Sequence, residues 1–370
     1  MRLGPMRLRF LLAGFLLLAP AAQGAETASV NDTAHFLAGM PVAADSPLAP
    51  LTKGPSWQQH ARSFDATFDR AEKTQFAKVR AWSKANLTTH RQTLFYMFSG
   101  PDFLYANSFF PDATTYVMAG LEPAGAIPDL SKVPNVAVPD ALRTLHTSTR
   151  SILEMSFFKT IDMKSDLHAS ALNGTLPLLY VFLARSGKVV KDATLVRLDE
   201  NGEVLSGPAA AEAKADGAKG VKITFSSPNG PEQTLYYFSA NLSNSGFKKG
   251  GLGAFCEKLG VGDGLVKSAS YLLHGGDFSQ VRSFLLQHTA SILQDDTGVP
   301  ATMFDSKWQL RPYGRYSGPI SLFAERYQPR MAEIFQRQPR GQLGFGIGYR
   351  YRPSESSLLL ATKQETAQAQ

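Results

Sequence analysis

The sequence predicts an α/β protein whose mixed sheet contains parallel strand–helix–strand crossovers and an antiparallel hairpin section. Two segments, beginning near residues 93 and 265, each run from an apolar strand through a break and a short helix into a second apolar strand. Strands that are joined through a helix lie parallel in one sheet. A third stretch, 188–245, alternates short β-rich runs with hairpin turns, which is typical of antiparallel pairing.

The elements of the two crossovers follow from apolar runs and their interruptions. In the first, we predict a strand at 93–98, a helix at 103–110 and a strand at 114–119. In the second, we predict a strand at 265–273, a helix at 278–287 and a strand at 290–293. Gly-x-Asp-Phe opens the predicted helix in both segments, at Gly100 and at Gly275. This shared arrangement suggests an internal duplication, because a gap-free alignment of 96–120 with 271–295 gives seven identities.

The rest of the chain is helical or hairpin-like. Apolar residues at three- and four-residue steps from Trp57 to Trp82 predict a long amphipathic helix. Further helices are expected at 139–158 and 320–335, the second broken before Pro329. The β-rich section contains two turns, at 199–202 and 227–230, with strands at 221–225 and 234–238 and an alanine-rich loop at 209–217. A final hairpin is expected from 343–351 and 357–361.

The N-terminus has the three parts of a secretory signal peptide. Arg2, Arg7 and Arg9 precede an uncharged apolar run, and Ala22 and Gly24 supply small residues for cleavage. The run is too short to serve as a membrane-spanning helix, which needs about 20 residues. We therefore expect cleavage after residue 24, a periplasmic or secreted mature chain, and no transmembrane span after removal of the signal.

Composition sets the domain plan and excludes some classes of partner. Residues 1–24 are the signal, 25–55 a flexible leader rich in Ala, Pro, Ser and Thr, 56–352 the α/β domain, and 353–370 a final strand with a polar tail. The domain is either one unit or two halves, 56–187 and 246–352, around a β-rich insertion at 188–245. Loss of the three signal arginines lowers the net charge from +7 to +4, so a nucleic-acid partner is not expected. The single cysteine, Cys256, excludes an internal disulfide and sits in an apolar run as a core residue.

Polar residues follow the predicted strands of both crossovers. In open α/β sheets, ligands bind beyond the carboxyl ends of the parallel strands. The residues in such positions are Ser99, Asp102, Glu122, His274, Asp277, Asp295 and Asp296. Asp277 near His274 would orient an imidazole for general-base catalysis, with Asp102 as a further catalytic candidate, and Asp295 with Asp296 would hold a hard cation.

Structural roles explain the same residues without a ligand. Asp102 and Asp277 each open a predicted helix, where a carboxylate accepts hydrogen bonds from free backbone N–H groups. The segment 295–298, Asp-Asp-Thr-Gly, has the residues of a type I turn. In this interpretation, His274 is a hydrogen-bonded histidine at the end of a strand.

A second candidate site is electrostatic. Between residues 311 and 352 there are eight arginines, two acids and no lysine, with five tyrosines among them. Arg binds carboxylates and phosphates through a planar fork, and Tyr offers a flat face for sugars. The ligand-binding candidates are Arg326, Arg330, Tyr313 and Tyr316. The alternative is a solvated face that pairs with the protein's own acids.

Motifs with a strong chemical meaning are absent from the sequence. There is no Gly-x-Ser-x-Gly, His-Glu-x-x-His, phosphate-loop lysine, Cys-x-x-Cys or calcium-loop pattern. The alternating glycines at 344–348 are not a dinucleotide fingerprint, because no helix follows them. The cofactor is therefore unknown; a divalent cation is one option, but no motif requires one.

Two stretches resemble those of an uncharacterised family of exported bacterial proteins. They are Phe-Ser-Gly-Pro-Asp-Phe-Leu-Tyr-Ala-Asn at 98–107 and Ile-Leu-Gln-Asp-Asp-Thr-Gly-Val-Pro at 292–300. The resemblance covers most of the chain after residue 56 and implies a recurring, bacterial domain. It carries no assigned activity and no catalytic residues.

Two functions remain open at this point. The first is a periplasmic or secreted binding protein for an anionic small molecule or an envelope glycan, which uses the Arg/Tyr segment. The second is an extracytoplasmic hydrolase, with or without a metal, which uses the Asp/His residues at the strand ends. The absence of a recognised nucleophile or metal motif favours binding, and whether the protein is an enzyme stays open.

Overall fold

The computed structural model describes residues 27–155, 172–212, 216–338 and 340–364. Ten strands form a single mixed sheet in the order β4-β3-β5-β6-β2-β1-β7-β8-β10-β9. The strands are β1 (Thr93–Tyr96), β2 (Thr115–Gly120), β3 (Val189–Leu198), β4 (Val204–Ser206), β5 (Lys219–Ser226), β6 (Glu232–Ser239), β7 (Gly262–Val266), β8 (Thr289–Gln294), β9 (Trp308–Gly314) and β10 (Ser357–Lys363). The predicted α/β class with a mixed sheet is confirmed.

The parallel strands diverge from the centre of the sheet. β1 pairs in parallel with β2 on one side and with β7 on the other. Outward from these, β6 is parallel to β2, and β8 is parallel to β7. Strands β2 to β6 all lie on one side of β1, and strands β7 to β10 lie on the other, so the direction of the strand order reverses between β1 and β7. A crevice opens at such a switch point beyond the carboxyl ends of the two central strands.

Antiparallel pairs complete both edges of the sheet. On one side β3 pairs with β4 and β5, and β5 pairs with β6, as the predicted hairpin turns require. On the other side β10 lies between β8 and β9 and is antiparallel to both. The expected hairpin of 343–351 with 357–361 is therefore wrong for its first half. Residues 343–351 form no strand, and β9, more than 40 residues earlier in the chain, pairs with β10 instead.

Helices cover both faces of the sheet. They are α1 (Val30–Leu37), α2 (Pro55–Ala71), α3 (Ala77–Asn86), α4 (Phe103–Phe109), α5 (Val138–Met155), α6 (Leu176–Arg185), α7 (Gly207–Glu212), α8 (Asn244–Lys249), α9 (Leu252–Lys258), α10 (Ser279–His288) and α11 (Pro329–Arg337). Alternating side chains of β1 reach different cores: Tyr96 packs with α4, and Phe95 packs with α10. The two crossover helices therefore lie on opposite faces of the sheet.

The N-terminal region differs from the expected flexible leader. From residue 27 onward it is ordered, and Phe36 and Leu37 of α1 are fully buried. α1 packs against α6 and β3, so this segment belongs to the domain. The long amphipathic helix that follows is confirmed as α2 and α3, which are joined through a π-helical turn at Glu72–Phe76. Residues 1–26, including the predicted signal and its cleavage site, lie outside the described residues.

The two crossovers share one sheet, but the gap-free alignment does not superpose their strands. Tyr96 is the last residue of β1, whereas its partner Tyr271 lies five residues beyond the end of β7. The second predicted strand ends at Val266 and not at residue 273, because the chain turns into a loop at Lys267. The aligned identities in this half of the repeat therefore occupy different structural positions, and only the order of elements is common to both units.

Other boundaries follow the sequence more closely. The break before Pro329 is present, with a 3₁₀ segment at Ser321–Arg326 before it and α11 after it. The predicted alanine-rich loop at 209–217 differs in its first part, which belongs to the short helix α7, and residues 213–215 lie outside the described residues. No helix among the described residues is long and apolar enough to cross a membrane.

Candidate functional site

A cavity of about 710 Å³ opens at the switch point. Its walls are mostly apolar side chains, and they come from the residues that follow β1, β2, β6 and β7. Further lining residues come from later in the chain: Ile320, Leu322, Phe323 and Tyr349. We call this cavity the switch-point cleft. Its place and its apolar walls with a few polar groups are typical of a small-molecule site.

Asp102 lies at the floor of the cleft and begins α4. Gly100 has a φ of 55°, which lets the chain turn sharply after β1. The Asp102 carboxylate then accepts a hydrogen bond from the N–H of Tyr105 (3.2 Å) and another from the hydroxyl of Tyr96 (2.7 Å). The predicted capping role is confirmed for this aspartate.

Lys267 makes the ion pair of the site. It follows β7 directly, and its Nζ lies 3.0 Å from Asp102 Oδ2, with both side chains almost fully buried. The ammonium also lies 4.3 Å from the centre of the Tyr105 ring. Burial raises the pKa of the Asp102 carboxyl, and the Lys267 charge is the largest effect that opposes this rise. Burial and the Asp102 charge together raise the pKa of the Tyr96 hydroxyl.

Lys267 was not among the predicted site residues. It lies inside the predicted strand 265–273, where its side chain would have no special position. A lysine directly after the apolar run Gly-Leu-Val was the available signal. A lysine at the carboxyl end of a parallel strand is a candidate site residue for the same reason as the acids that follow the other strands.

The loop after Lys267 holds three non-glycine residues in the left-handed backbone region. They are Ser268 (φ 54°), Ser270 (φ 49°) and Tyr271 (φ 55°). Such residues cost about 1–3 kcal/mol each and persist only where surrounding contacts impose them. Ser268 lines the cleft, and its Oγ is buried without a hydrogen-bond partner among the described residues.

The segment after β8 supplies the contacts that hold this loop. Asp295 accepts hydrogen bonds from the N–H of Ser268 (2.8 Å) and of Thr297 (2.9 Å). Thr297 Oγ1 accepts one from the N–H of Ala269 (2.7 Å), and Asp296 accepts one from the Tyr271 hydroxyl. These contacts bind the two loops together, and they occupy the carboxylates that were predicted to hold a metal.

Burial is the largest effect on the pKa of both aspartates. It raises the pKa of Asp295, against the hydrogen bonds from Thr297 and Ser268. It also raises the pKa of Asp296 to about 7, with the Asp295 charge adding to the rise. Within the ranges that the structure describes, no group of three or more His, Cys, Asp or Glu side chains is placed to hold a metal ion.

Glu122 is the second carboxylate of the cleft. It follows β2, its side chain is buried, and the Tyr237 hydroxyl lies 3.4 Å from Oε2. Among the described residues, no lysine, arginine or histidine nitrogen lies within 4.0 Å of its carboxylate. A Cβ atom on Gly120 would lie 2.6 Å from Glu122 Oε2 and 3.0 Å from the Cα of Gly100. The carboxylate therefore sits beside the turn that follows β1.

The predicted pair of His274 and Asp277 does not form. Asp277 is exposed and makes no hydrogen bond to His274 or to a helix N-terminus in the described structure. The capping role predicted for it is wrong, because Asn244 Oδ1 accepts the Gln280 N–H at the start of α10 instead. Burial and the charge of Arg326 lower the pKa of His274 to about 4, so its imidazole is neutral near pH 7. Neither residue lines the switch-point cleft.

The Arg/Tyr residues are engaged with other parts of the protein, mostly within their own segment. Arg326 pairs with Glu325 (3.3 Å) and Arg330 with Glu333 (2.7 Å), all at the surface. Tyr313 is buried beside Trp82, with ring centres 4.9 Å apart. The Tyr316 hydroxyl accepts a hydrogen bond from a backbone N–H and its ring stacks on that of Tyr327. None of the four ligand-binding candidates lines the cleft, and Tyr349 is the tyrosine of this segment that does.

Comparison of the chain with protein-family models, with curated proteins and with solved structures found no match. The residues of the cleft are therefore the basis for a functional proposal.

Proposed function

We propose that this protein binds a small organic molecule in the switch-point cleft. The observation that carries the proposal is the position of this cavity beyond the carboxyl ends of β1 and β7, where the direction of the strand order reverses. Its volume of about 710 Å³ falls within the usual range for drug-sized ligands. Residues of several loops line it, and binding residues are often found on loops that a rigid scaffold holds in place.

The charges of the cleft favour a neutral or cationic ligand. Asp102 and Glu122 both line it, and the one lysine, Lys267, is already bonded to Asp102. A carboxylate on the ligand would face Glu122 without a free cation nearby, and like charges at short range disfavour binding. The cleft is thus a poorer match for the anionic ligand that the Arg/Tyr segment suggested from sequence.

The surface arginines give the anionic ligand little support. Arg326 and Arg330 neutralise glutamates of their own segment, and exposed pairs of this kind contribute little to binding or stability. The hydrolase based on His274 and Asp277 has no supporting contact between these two residues. Ser268 is the residue of the cleft that favours a catalytic function. Its backbone is in the left-handed region, and its hydroxyl has no hydrogen-bond partner among the described residues.

The proposal is tested by a fragment screen that follows the chemical shifts of the purified protein. We expect neutral and amine-bearing fragments to shift resonances of Ser99, Ser268 and Tyr349. Leu322, which is 74% exposed at the mouth of the cleft, is replaced by Trp to narrow the entrance. Leu322→Trp should weaken these fragments, whereas Val261→Trp, at a 54% exposed position outside the cleft, should not. Fragments that bind only elsewhere would contradict the proposal.

We also propose, from the sequence alone, that the chain is exported and cleaved after residue 24. N-terminal sequencing of protein recovered from the periplasm or medium of a bacterial host should begin at Ala25. Retention of Met1 on the mature protein would contradict export with cleavage.

A further inference from the structure

We infer that the ligand of the switch-point cleft is a nucleoside without phosphate groups, which rests on the proposed binding function. The argument uses three parts of the cleft: the carboxylate after β2, the residues after β6, and the turn after β1. Each part faces a different portion of the ligand.

Glu122 matches the position of the ribose-binding acid in doubly wound sheets. In such sheets an Asp or Glu about 20 residues after the first turn accepts hydrogen bonds from ribose hydroxyls. Glu122 stands 22 positions after Gly100, at the end of the strand next to β1, and its carboxylate lies against the first turn. The Tyr237 hydroxyl donates to the backbone oxygen of Glu122 at 2.9 Å and lies 3.4 Å from the carboxylate. Among the described residues, the buried carboxylate therefore keeps acceptor capacity for two hydroxyls.

The residues after β6 offer a site for a flat base. Ala240 and Leu242 are buried and line the cleft together with the exposed Leu121, which follows the neighbouring strand β2. Asn241, between them, accepts the Ser243 N–H through Oδ1 at 2.9 Å. Its amide NH₂ remains to donate to a ring nitrogen or carbonyl of the base. Apolar walls with one amide are suited to an aromatic heterocycle.

The turn after β1 argues against phosphate groups. A pyrophosphate at this place needs glycines and free backbone N–H groups at the start of a helix. Here Pro101 has no N–H, and the Asp102 carboxylate already occupies the N-terminus of α4. Lys267, the nearest cation, is bonded to the same carboxylate. A phosphate would meet negative charge where a dinucleotide site provides donors.

The same charges predict a preference among nucleosides. If the ribose meets Glu122, a 5′-phosphate would lie on the side of the cleft where Asp102 and Glu122 are the nearby acids and Lys267 is already paired. We therefore expect AMP to bind more weakly than adenosine.

Isothermal titration of the purified protein with adenosine, AMP, adenine and 2′,3′-dideoxyadenosine tests the inference. Loss of the two hydroxyls, or of the whole ribose, should weaken binding about tenfold or more, because a buried charged acceptor is left unpaired. Glu122→Gln should weaken adenosine by a similar factor and leave adenine unchanged. Glu333→Gln, at the surface, is the matched control and should change neither.

The outcomes separate the two proposals. AMP binding as tightly as adenosine, or dideoxyadenosine binding as tightly as adenosine, would overturn the nucleoside inference. If no nucleoside binds but other fragments shift the cleft resonances, the inference fails and the proposed binding function stands. If nothing binds in the cleft, both fail. Should Glu122→Gln not fold, the comparison of ligands on the unaltered protein still decides.

Discussion

Replacement of Lys267 by methionine should leave a buried charge without its partner. The side chains of Lys267 and Asp102 are 2% and 1% exposed, so water cannot solvate the carboxylate that remains. Breaking a buried ion pair in this way costs about 3–5 kcal/mol. Methionine has nearly the length of lysine and keeps the contact with the Tyr105 ring, so little of the loss should come from packing.

The free energy of unfolding from urea denaturation at pH 7 measures this cost. Asp102→Asn in the same chain should recover most of it, because the amide is neutral and its oxygen still accepts the Tyr105 N–H. The loss in Lys267→Met should also shrink toward pH 4. Burial raises the pKa of the folded carboxyl above its unfolded value, so its stabilising protonated form is lost as the pH rises.

Two results would refute this reasoning. One is a loss in Lys267→Met of less than about 1 kcal/mol, which is the size of an exposed pair. The other is a double variant, Lys267→Met with Asp102→Asn, that is as unstable as the single one. The second result would mean that methionine disturbs packing and not charge.

Three further predictions concern the acids and the strained loop. Asp277→Ala should change the free energy of unfolding by no more than about 0.5 kcal/mol. Asp102→Ala should lower it by more than the roughly 0.5–2 kcal/mol that loss of a helix cap costs. Equal losses in the two variants would contradict the assigned roles. Because the pKa of Asp296 is raised to about 7, its contribution to stability is complete below about pH 4 and is lost as the pH rises through 7. In urea titrations, the free energy of unfolding of Asp296→Asn should therefore fall less from pH 5 to pH 8 than that of the native protein. An equal or larger fall in the variant would contradict the assigned pKa. Ser268→Gly should raise stability by about 1 kcal/mol by relieving the left-handed φ, while Ser268→Ala, which keeps the strain, should not; a matching gain in both would point to the lost hydroxyl instead.

Local patterns were enough to predict many elements of this fold. The apolar period from Trp57 to Trp82 marks a helix because its stripe must be buried, whatever lies against it. The turns at 199–202 and 227–230 mark hairpins because Asn-Gly favours the backbone that a tight reversal needs. Asp102 begins a helix because its carboxylate bonds an N–H three residues away. Each of these signals lies within a few residues of its effect.

Strand ends and partners were harder to predict. The predicted first strand of the second crossover is too long because 265–273 is largely apolar. Its end depends on distant residues: Asp295 and Thr297 accept hydrogen bonds from the backbone of the loop that begins at Lys267. Residues 343–351 have the composition of a strand, but β9 takes the place beside β10 that they were expected to fill. Which strands pair depends on which edge of the sheet is already occupied. The sequence of a single segment does not show this.

The sequence by itself determined the class of the fold, the order of its crossovers and the acids that follow the strands. Only the tertiary structure decided which of those acids meet. Asp102 and Glu122 come to one cleft and Asp277 stays at the surface, although all three follow predicted strands. Lys267 reaches Asp102 across 165 residues of chain because β1 and β7 are neighbours in the sheet. The chemistry of a buried site is a sum of such long-range contacts, and residue type and spacing do not encode them locally.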